Sequence, residues 1–296
     1  MTDKHLIEDL RVGAGKRVRL ADFDPGFKGG RSKGHALRKT QELCSTLSEL
    51  QLKLFAERKR SLLVCLQALD AGGKDGVVRH VIGSMNPDGC DVANFKQPTP
   101  EELAHDFLWR IEAKTPKRGE IAIFNRSHYE DVLIVRVHNL VAKEVWSKRY
   151  DQINDFERRL ALNGTHILKF FLHISKEEQL KRFEERLDDP TKRWKISESD
   201  YAEREYWDDY VQAYEDVLAR CNREDAPWFV IPADHKWFRD LAISQILVAT
   251  LESMDIQVPK PTVNIEDIRQ KYHSAAKKDK QGKAGRKHGA RARRKG

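Results

Sequence analysis

The sequence of 296 residues lacks any long apolar run. No stretch approaches the roughly 20 consecutive apolar residues that a helix needs to cross a bilayer. The first residues, MTDKHLIEDLRVG, mix both signs of charge and contain no apolar signal-peptide core. We therefore expect a cytoplasmic protein without membrane contact. Hydrophobic residues still make up 40% of the chain, which is enough to bury one sizeable core.

Cysteine is also scarce. The chain has four cysteines, which stand far apart, form no Cys-x-x-Cys pair and lie at no metal-ligand spacing from a histidine. The pattern predicts reduced, mostly buried thiols.

The formal net charge is +8, but most of the chain carries no net positive charge. Residues 277–296 hold ten lysines or arginines against the single acid Asp279, so this segment carries +9 and residues 1–276 carry −1. A nearly neutral body excludes a global field for polyanions, so a phosphate site must be a local cluster of basic side chains. The tail has no apolar side chain larger than alanine, and we expect it to be disordered and to bind polyanions without specificity.

Apolar runs of strand length alternate with helical patterns along the chain. The runs lack polar alternation, as expected for strands that are covered on both faces. They lie at residues 61–70, 121–125, 165–174 and 227–233. Helical patterns cover about 33–60, 99–113, 127–138, 147–163 and 237–254, and another helix starts at Ser175. This alternation predicts an α/β fold with a doubly wound parallel sheet, whose ligand crevice lies at the carboxyl ends of the strands.

A glycine-rich turn, ALDAGGKDG at residues 68–76, follows the first predicted strand and precedes a helical pattern. Backbone N–H groups in such a turn can point at a phosphate, and Lys74 adds a full positive charge. The usual pattern GxxxxGK[ST] is incomplete, because Ala68 replaces its first glycine and Asp75 its hydroxyl residue. A plain strand-to-helix turn is the alternative reading of the loop alone. The predicted phosphate-binding residues are Ala71, Gly72, Gly73, Lys74, Asp75 and Gly76.

Acidic side chains stand where a metal ion would be needed. Asp70 ends the first strand and could supply the oxygen ligand that the missing hydroxyl leaves open. At the end of the strand at 121–125 the candidates are Asn125, Glu130 and Asp131, with Asp131 preferred. Arg126 either stabilises the transferring phosphoryl group or pairs with one of these acids.

Basic residues also crowd around the Asp-Asp-Pro turn between residues 180 and 204. Any single one of them could be solvated surface. Together they are better explained as a lid that closes over a phosphate chain and excludes water. The predicted channel residues are Arg79, Lys96, Arg110, Arg182, Arg186, Lys192, Arg193 and Lys195, with Lys96 near the second strand's end and Arg110 on the helix that follows.

Four segments in order resemble the polyphosphate kinase 2 family. They are ALDAGGKDG, NPDGCDVANFKQPTPEELAHDFLWR at 86–110, IAIFNRSHYEDVLIVRVH at 121–138 and WKISESDYAEREYWDDY at 194–210. The resemblance runs over roughly residues 10–260. It implies a P-loop kinase fold related to thymidylate kinase, a mobile lid over a basic channel for polyphosphate, and dependence on Mg²⁺, with Mn²⁺ as a substitute.

The resemblance also assigns roles to residues. Its Walker A-like loop falls on Asp70–Gly76 and its Walker B-like segment on Asn125–Asp131. Asn125 stands where other members have an aspartate, which resembles the branch that phosphorylates nucleoside monophosphates as well as diphosphates. The implied catalytic residues are Asp70, Lys74, Arg126 and Asp131, the metal ligands Asp70, Glu130 and Asp131, and the nucleotide contacts Arg110, Asn125, Arg126 and Glu130.

The predicted activity is reversible transfer of a terminal phosphoryl group from polyphosphate to AMP or ADP. The alternatives are an ATP-dependent nucleotide kinase of the thymidylate kinase type, or a polyanion-binding or nucleic-acid-binding protein that acts through its tail. We expect a homo-oligomer, a dimer or a tetramer. The predicted organisation is an N-terminal extension with a packing helix (1–60), a P-loop kinase domain with a lid at about 180–205 (61–260), and a C-terminal extension (261–296).

Overall fold

The computed structural model of the chain describes residues 2–13, 15 and 17–292, with side chains as far as Lys278. The chain divides into two compact units, Met1–Gln257 and Val258–Gly296. Among the described residues, no helix combines the length and apolar character that crossing a bilayer requires.

A five-stranded parallel sheet forms the centre of the first unit. The strands are β1 (Ser61–Ala68), β2 (Cys90–Asn94), β3 (Ile121–Asn125), β4 (Thr165–His173) and β5 (Trp228–Pro232), in the spatial order β2-β3-β1-β4-β5. Every residue of β1 is buried, as its unbroken apolar run predicts for a central strand. The doubly wound parallel sheet is thereby confirmed. The order reverses beside β1, so the carboxyl end of β1 faces the ligand crevice.

Helices cover both faces of this sheet. The helices of the first unit are α1 (Lys4–Leu10), α2 (Lys33–Glu57), α3 (Lys74–His80), α4 (Pro100–Leu103), α5 (Trp109–Glu112), α6 (Ile134–Val137), α7 (Lys143–Leu162), α8 (Lys176–Asp188), α9 (Glu198–Glu203), α10 (Trp207–Arg220) and α11 (Lys236–Ser253). Helices α2 and α11 bury Leu47 and Leu247 in the core on one face. Helices α7 and α10 bury Ile153 and Val217 on the other.

Two predicted helices are broken in the structure. The segment predicted as one helix at 127–138 is a 3₁₀ turn, His128–Val132, followed by α6, because the backbone at Leu133 leaves helical geometry (φ −106°, ψ −91°). The helix expected from Thr99 to Ala113 is divided into α4 and α5. Its predicted start is confirmed, since Thr99 and Glu102 form a capping box.

A buried polar cluster fastens the turn after β3 to the sheet. The ammonium of Lys169, in β4, donates to Glu157 Oε2 at 2.6 Å, to Tyr129 Oη at 3.1 Å and to the carbonyl of Cys221 at 2.6 Å. Tyr129 Oη donates to Glu157 Oε1 at 2.7 Å. Lys169 and Glu157 are fully buried, which is tolerable only because their charges are paired and hydrogen-bonded. The cluster joins β4, α7 and the segment that follows Arg126.

The second unit contains the helix α12 (Ile265–Ala292). The helix is described as far as Ala292, and residues 293–296 lie outside the described residues. The disorder expected for the basic tail stays a prediction.

Candidate active site

The loop after β1 is a tight turn shaped by small residues. Ala71 and Gly73 adopt left-handed backbone conformations with φ of 59° and 104°. The Gly72 amide donates to the carbonyl of Leu69 at 3.0 Å, and a β-carbon at Gly72 would lie 2.9 Å from that oxygen. A side chain at Gly72 would thus displace the backbone, and left-handed geometry favours glycine at residue 73. The loop passes directly into α3 with Lys74 as its first residue.

Lys74 lies along this loop with its amine at the carboxyl end of the sheet. Nζ donates to the carbonyl of Ala68 at 2.8 Å, its one protein hydrogen-bond partner among the described residues. Burial, together with the nearby Arg126, lowers the pKa of Lys74, while Asp70 and Glu130 oppose that shift. A bound anion would favour the charged amine, and the amine lines a cleft that can admit one.

Arg126 and Asp70 face each other across the ends of β3 and β1. Arg126 Nη2 lies 3.4 Å from Asp70 Oδ1, and its side chain is 42% exposed. The backbone of Arg126 is left-handed (φ 60°), and its amide is anchored on the carbonyl of Leu66 at 3.1 Å. A non-glycine residue in this conformation is uncommon and is held by its surroundings. The two predicted catalytic residues therefore meet at one point of the cleft.

Asp75 connects the loop with the neighbouring strand and with the lid. Asn125 Nδ2 donates to Asp75 Oδ1 at 3.1 Å and to Asn94 Oδ1 at 2.8 Å. From the opposite side, Lys195 Nζ donates to Asp75 Oδ2 at 2.9 Å. The Lys195 amine comes from the 3₁₀ turn Arg193–Lys195, between α8 and α9. The predicted lid thus reaches across the loop.

These groups line one cleft with a volume of about 1350 Å³. Among its lining residues, lysine and arginine outnumber aspartate and glutamate twelve to six. The local excess of positive charge is the feature expected of a phosphate site in an otherwise nearly neutral body. Of the predicted channel residues, Arg79, Lys96, Arg186, Lys192 and Lys195 line the cleft.

Arg182 lines the cleft, and most of its donors are engaged by protein groups. Its guanidinium donates to Glu178 Oε1 at 2.9 Å, to the carbonyl of Ala71 at 2.9 Å, and to the carbonyls of Ala233 and Asp234. The side chain is 5% exposed. Arg182 therefore fixes the loop from beneath with up to four of its five N–H groups, and the phosphate contact predicted for its remaining Nη1 N–H stays a prediction.

Arg193 is turned away from the cleft. Its Nε donates to the carbonyl of Leu187 at 2.9 Å, within the lid itself. Its neighbours Lys192, Trp194 and Lys195 line the cleft, whereas Arg193 does not. In a 3₁₀ turn successive side chains point in different directions, so adjacency in sequence does not give a shared face.

The acids predicted as metal ligands after β3 do not reach the cleft lining. Asp131 Oδ1 pairs with Arg149 Nη1, in α7, at 2.8 Å, and burial raises the pKa of Asp131 to about 6. Burial likewise raises the pKa of Glu130, although Arg126 and Lys74 oppose the shift. In this structure Asp131 is paired with a cation of α7, and its role as metal ligand stays a prediction.

Arg110 supports a neighbouring channel residue, and its predicted contact with nucleotide stays a prediction. Its Nη1 donates to the carbonyl of Lys96 at 2.8 Å and lies 3.5 Å from Glu102 Oε2. The side chain is 9% exposed and does not line the cleft. Arg110 therefore orients the backbone that carries Lys96.

The carboxylates in the cleft fit a divalent metal ion of the kind that accompanies phosphates. In the described part of the chain, no three His, Cys, Asp or Glu side chains converge into a complete protein cage. Mg²⁺ is usually held by one or two carboxylates together with phosphate oxygens and water. Asp70 and Asp75 both line the cleft and match that requirement.

Two site residues escaped sequence reasoning because they come from distant elements. Gln179, in α8, donates from Nε2 to the carbonyl of Asp70 at 2.9 Å. Arg239, in α11, lies against the loop glycines Gly73 and Gly76. Neither stands at a strand end or within a glycine-rich pattern, so no local signal marks them.

A glycine-rich loop with a lysine after the central strand of a parallel sheet, facing a cationic lid, defines a P-loop phosphotransferase. The family model of polyphosphate kinase 2 matches residues 30–259. The chain belongs to this family.

Individual relatives agree with this placement. An AMP/ADP-polyphosphate phosphotransferase of Meiothermus ruber is 51% identical over 266 residues, which cover 88% of this chain and 99% of the relative. An ADP-polyphosphate phosphotransferase of Rhodopseudomonas palustris is 46% identical over 271 residues, 86% of this chain and 93% of the relative. The crystal structure of polyphosphate kinase 2 from Arthrobacter aurescens TC1 matches with a TM-score of 0.89 at 44% identity, covering 93% of this chain and 98% of that one.

Proposed function

We propose that this enzyme transfers the terminal phosphoryl group of inorganic polyphosphate to AMP and to ADP, reversibly and with Mg²⁺. The observation that carries the proposal is the cleft in which loop, Arg126 and lid converge with twelve basic against six acidic residues. An ATP-sized donor needs fewer cations than a polymer with one charge per phosphate. The names of the Meiothermus and Rhodopseudomonas relatives support polyphosphate as the polymer and AMP and ADP as nucleotides.

The residues of the cleft act by positioning and by stabilising charge. In the transfer, the bond between the terminal phosphorus and its bridging oxygen breaks, and a bond to an acceptor phosphate oxygen forms. The shortened polymer leaves with the negative charge on the former bridging oxygen. Lys74 and Arg126 stabilise the oxygens of the group in flight, because donors held in place in a cleft need little reorganisation. The acceptor is already an oxyanion, so no covalent enzyme intermediate is needed.

Asp70 and Asp75 are proposed to hold the magnesium ion, which when bound neutralises charge on neighbouring phosphate oxygens. Asp70 is 28% exposed and Asp75 64% exposed, so both carboxylates are accessible to a hydrated ion. Lys195 of the lid donates to Asp75, so the position of the lid is coupled to the charge of the same carboxylate. Glu130 and Asp131 remain behind the cleft wall in this arrangement.

The lid is proposed to close on the polymer. Lys192 and Lys195 lie on it with side chains 52% and 26% exposed, and Arg186 is braced by Asp200 at 3.1 Å. Closure would exclude water and so favour transfer to a nucleotide over hydrolysis. We also propose self-association through α2, whose Leu37 and Leu52 are about half exposed; light scattering in solution measures it.

The test is a matrix of donors and acceptors. Long-chain polyphosphate is supplied as sole donor with AMP or ADP, with and without Mg²⁺, and ATP is supplied as sole donor to AMP in parallel. The proposal predicts ATP formation from polyphosphate and ADP that requires the metal. Turnover with ATP as donor to AMP but none with polyphosphate would make the protein a conventional nucleotide kinase. In Lys74→Ala, kcat should fall by about a hundred-fold or more with the fold intact.

A further inference from the structure

A buried arginine lies beneath the phosphate-binding loop and has no part in the scheme above. Arg239, in the first turn of α11, is 2% exposed and lines the cleft. A β-carbon at Gly73 would overlap Nη1 of Arg239, and one at Gly76 would lie 2.8 Å from Nη2. The guanidinium is therefore packed directly on the two glycines that flank Lys74 and Asp75.

The hydrogen bonds of Arg239 use one side of its guanidinium. Nε and Nη2 donate to Asp240 Oδ1 at 2.9 and 2.7 Å. Nη1, the nitrogen nearest Gly73, has no acceptor among the described residues. Nη1 is not among the buried polar atoms that lack a partner, so it is open to the cleft, where water or the oxygen of a ligand can accept its N–H groups.

Arg182 provides an internal comparison in the same place. It lies within reach of the same glycine, since a β-carbon at Gly73 would be 3.6 Å from its Nη1. One N–H of that nitrogen donates to the carbonyl of Ala71, and Nε and Nη2 of Arg182 are bonded as well. Of the two buried arginines under the loop, Arg182 directs most of its donors to protein groups, whereas both N–H groups of Arg239 Nη1 are available toward the cleft.

We propose that Arg239 binds an oxygen of the polyphosphate chain, at a phosphate that lies on the α11 side of the loop. The inference rests on the proposed function, because it takes polyphosphate as the ligand. The cleft continues on this side along Lys236, Trp237 and Asp240, which leaves room for further units of a polymer. Arginine suits the task, since a planar guanidinium can hold Asp240 with one edge and phosphate with the other.

The test compares Arg239→Gln with the wild-type chain. KM for long-chain polyphosphate should rise at least about ten-fold, because a charge-assisted hydrogen bond to phosphate is lost. KM for AMP and for ADP should stay within about two-fold. Binding of polyphosphate alone, followed by calorimetry without nucleotide or turnover, should weaken by a similar factor. The matched control is Arg158→Gln, an exposed arginine of α7 paired with Asp155, which should leave both constants unchanged.

Each outcome decides the proposal. An unchanged polyphosphate KM and affinity in a folded Arg239→Gln protein would make the residue structural and overturn the inference, while the proposed function would stand. Wild-type protein that neither binds nor uses polyphosphate would overturn both. If Arg239→Gln does not fold, Arg239→Lys is tested by the same criterion. Lysine keeps the positive charge beside Asp240 but lacks the second edge of the guanidinium. A wild-type KM for polyphosphate in this variant would again refute the binding role of Arg239.

Discussion

Charged side chains at the carboxyl end of the sheet divide into those that face the cleft and those that hold the cleft's walls. Lys74, Asp70 and Arg126 belong to the first group: all three line the cleft, Lys74 has one protein partner, and Asp70 and Arg126 are partly exposed. Arg182 and Asp131 belong to the second, because their partners are protein groups at hydrogen-bonding distance. The same residue types thus serve different purposes a few ångströms apart.

Asp131 gives a test of this division through pH. Burial raises the pKa of Asp131 to about 6 from the ordinary value of 3.8, so the folded state favours its protonated form. The resulting stabilisation is fully present below the ordinary pKa and is lost as the pH rises through about 6. In Asp131→Asn, which cannot titrate, this loss is absent.

We therefore predict that the free energy of unfolding of the wild type falls relative to Asp131→Asn between about pH 4 and pH 7, by an amount on the order of 3 kcal/mol. Urea unfolding at several pH values measures the difference. A difference that does not change with pH would contradict the buried location. If Asp131→Asn instead needed a much higher Mg²⁺ concentration for turnover than the wild type, Asp131 would be a metal ligand.

Strand β4, helix α7 and the turn after β3 meet at the buried Lys169–Glu157 pair, and their relative positions depend on this pair. Lys169→Met would leave Glu157 fully buried without its cation, which typically destabilises a protein by about 3–5 kcal/mol. We predict a loss of that size in chemical unfolding, with part of it recovered in the double variant Lys169→Met/Glu157→Gln. Lys148→Met, at an exposed position of α7, is the control and should be neutral. A single variant as stable as wild type would contradict the account.

Two adjacent lid residues provide a matched comparison for the lid. Lys195 reaches Asp75 across the loop, whereas Arg193 is bonded back into the lid. Lys195→Gln should raise KM for polyphosphate by about ten-fold, because a cation over the phosphate chain is lost. Arg193→Gln should change it by less than two-fold. Equal effects of the two substitutions in steady-state kinetics would mean that the lid acts through its net charge and not through this geometry.

At this scale the sequence indicates which elements meet and leaves open which way their side chains turn. The convergence of Asp70, Lys74, Asn125 and Arg126 in one cleft could be predicted because they lie at or shortly after the ends of parallel strands, which share one edge of the sheet. The orientations of Arg182 and Arg193 could not be predicted, because both belong to the same run of basic residues and that run does not show which side chains face the cleft. Arg239 was hidden because its role depends on packing against glycines more than 160 positions earlier in the chain.

The net positive charge of the whole molecule lies in its basic C-terminal segment, residues 277–296. The family model ends at residue 259, before α12 begins, so residues 277–296 lie outside the segment that matches the family. Removing these 20 residues takes away a net charge of +9 and leaves −1.

We predict that deletion of residues 277–296 leaves kcat within about two-fold, while retention on a polyanion column at low salt is lost. The full-length chain should elute at a salt concentration that does not depend on the sequence of a nucleic-acid ligand. Chromatography and steady-state assays of the two proteins make the comparison. A large fall in kcat on deletion would show that the basic segment takes part in catalysis.

The central claim is that the loop after β1 and the lid grip a phosphate chain between them. A crystal structure of the full chain with polyphosphate, Mg²⁺ and AMP tests it most directly. The account predicts a row of phosphates in contact with Lys74 and Lys195, with the metal ion on Asp70 or Asp75 and the nucleotide beyond Arg126. Polyphosphate bound elsewhere, with the loop amides and Lys74 empty in a crystal that turns over substrate, would contradict it.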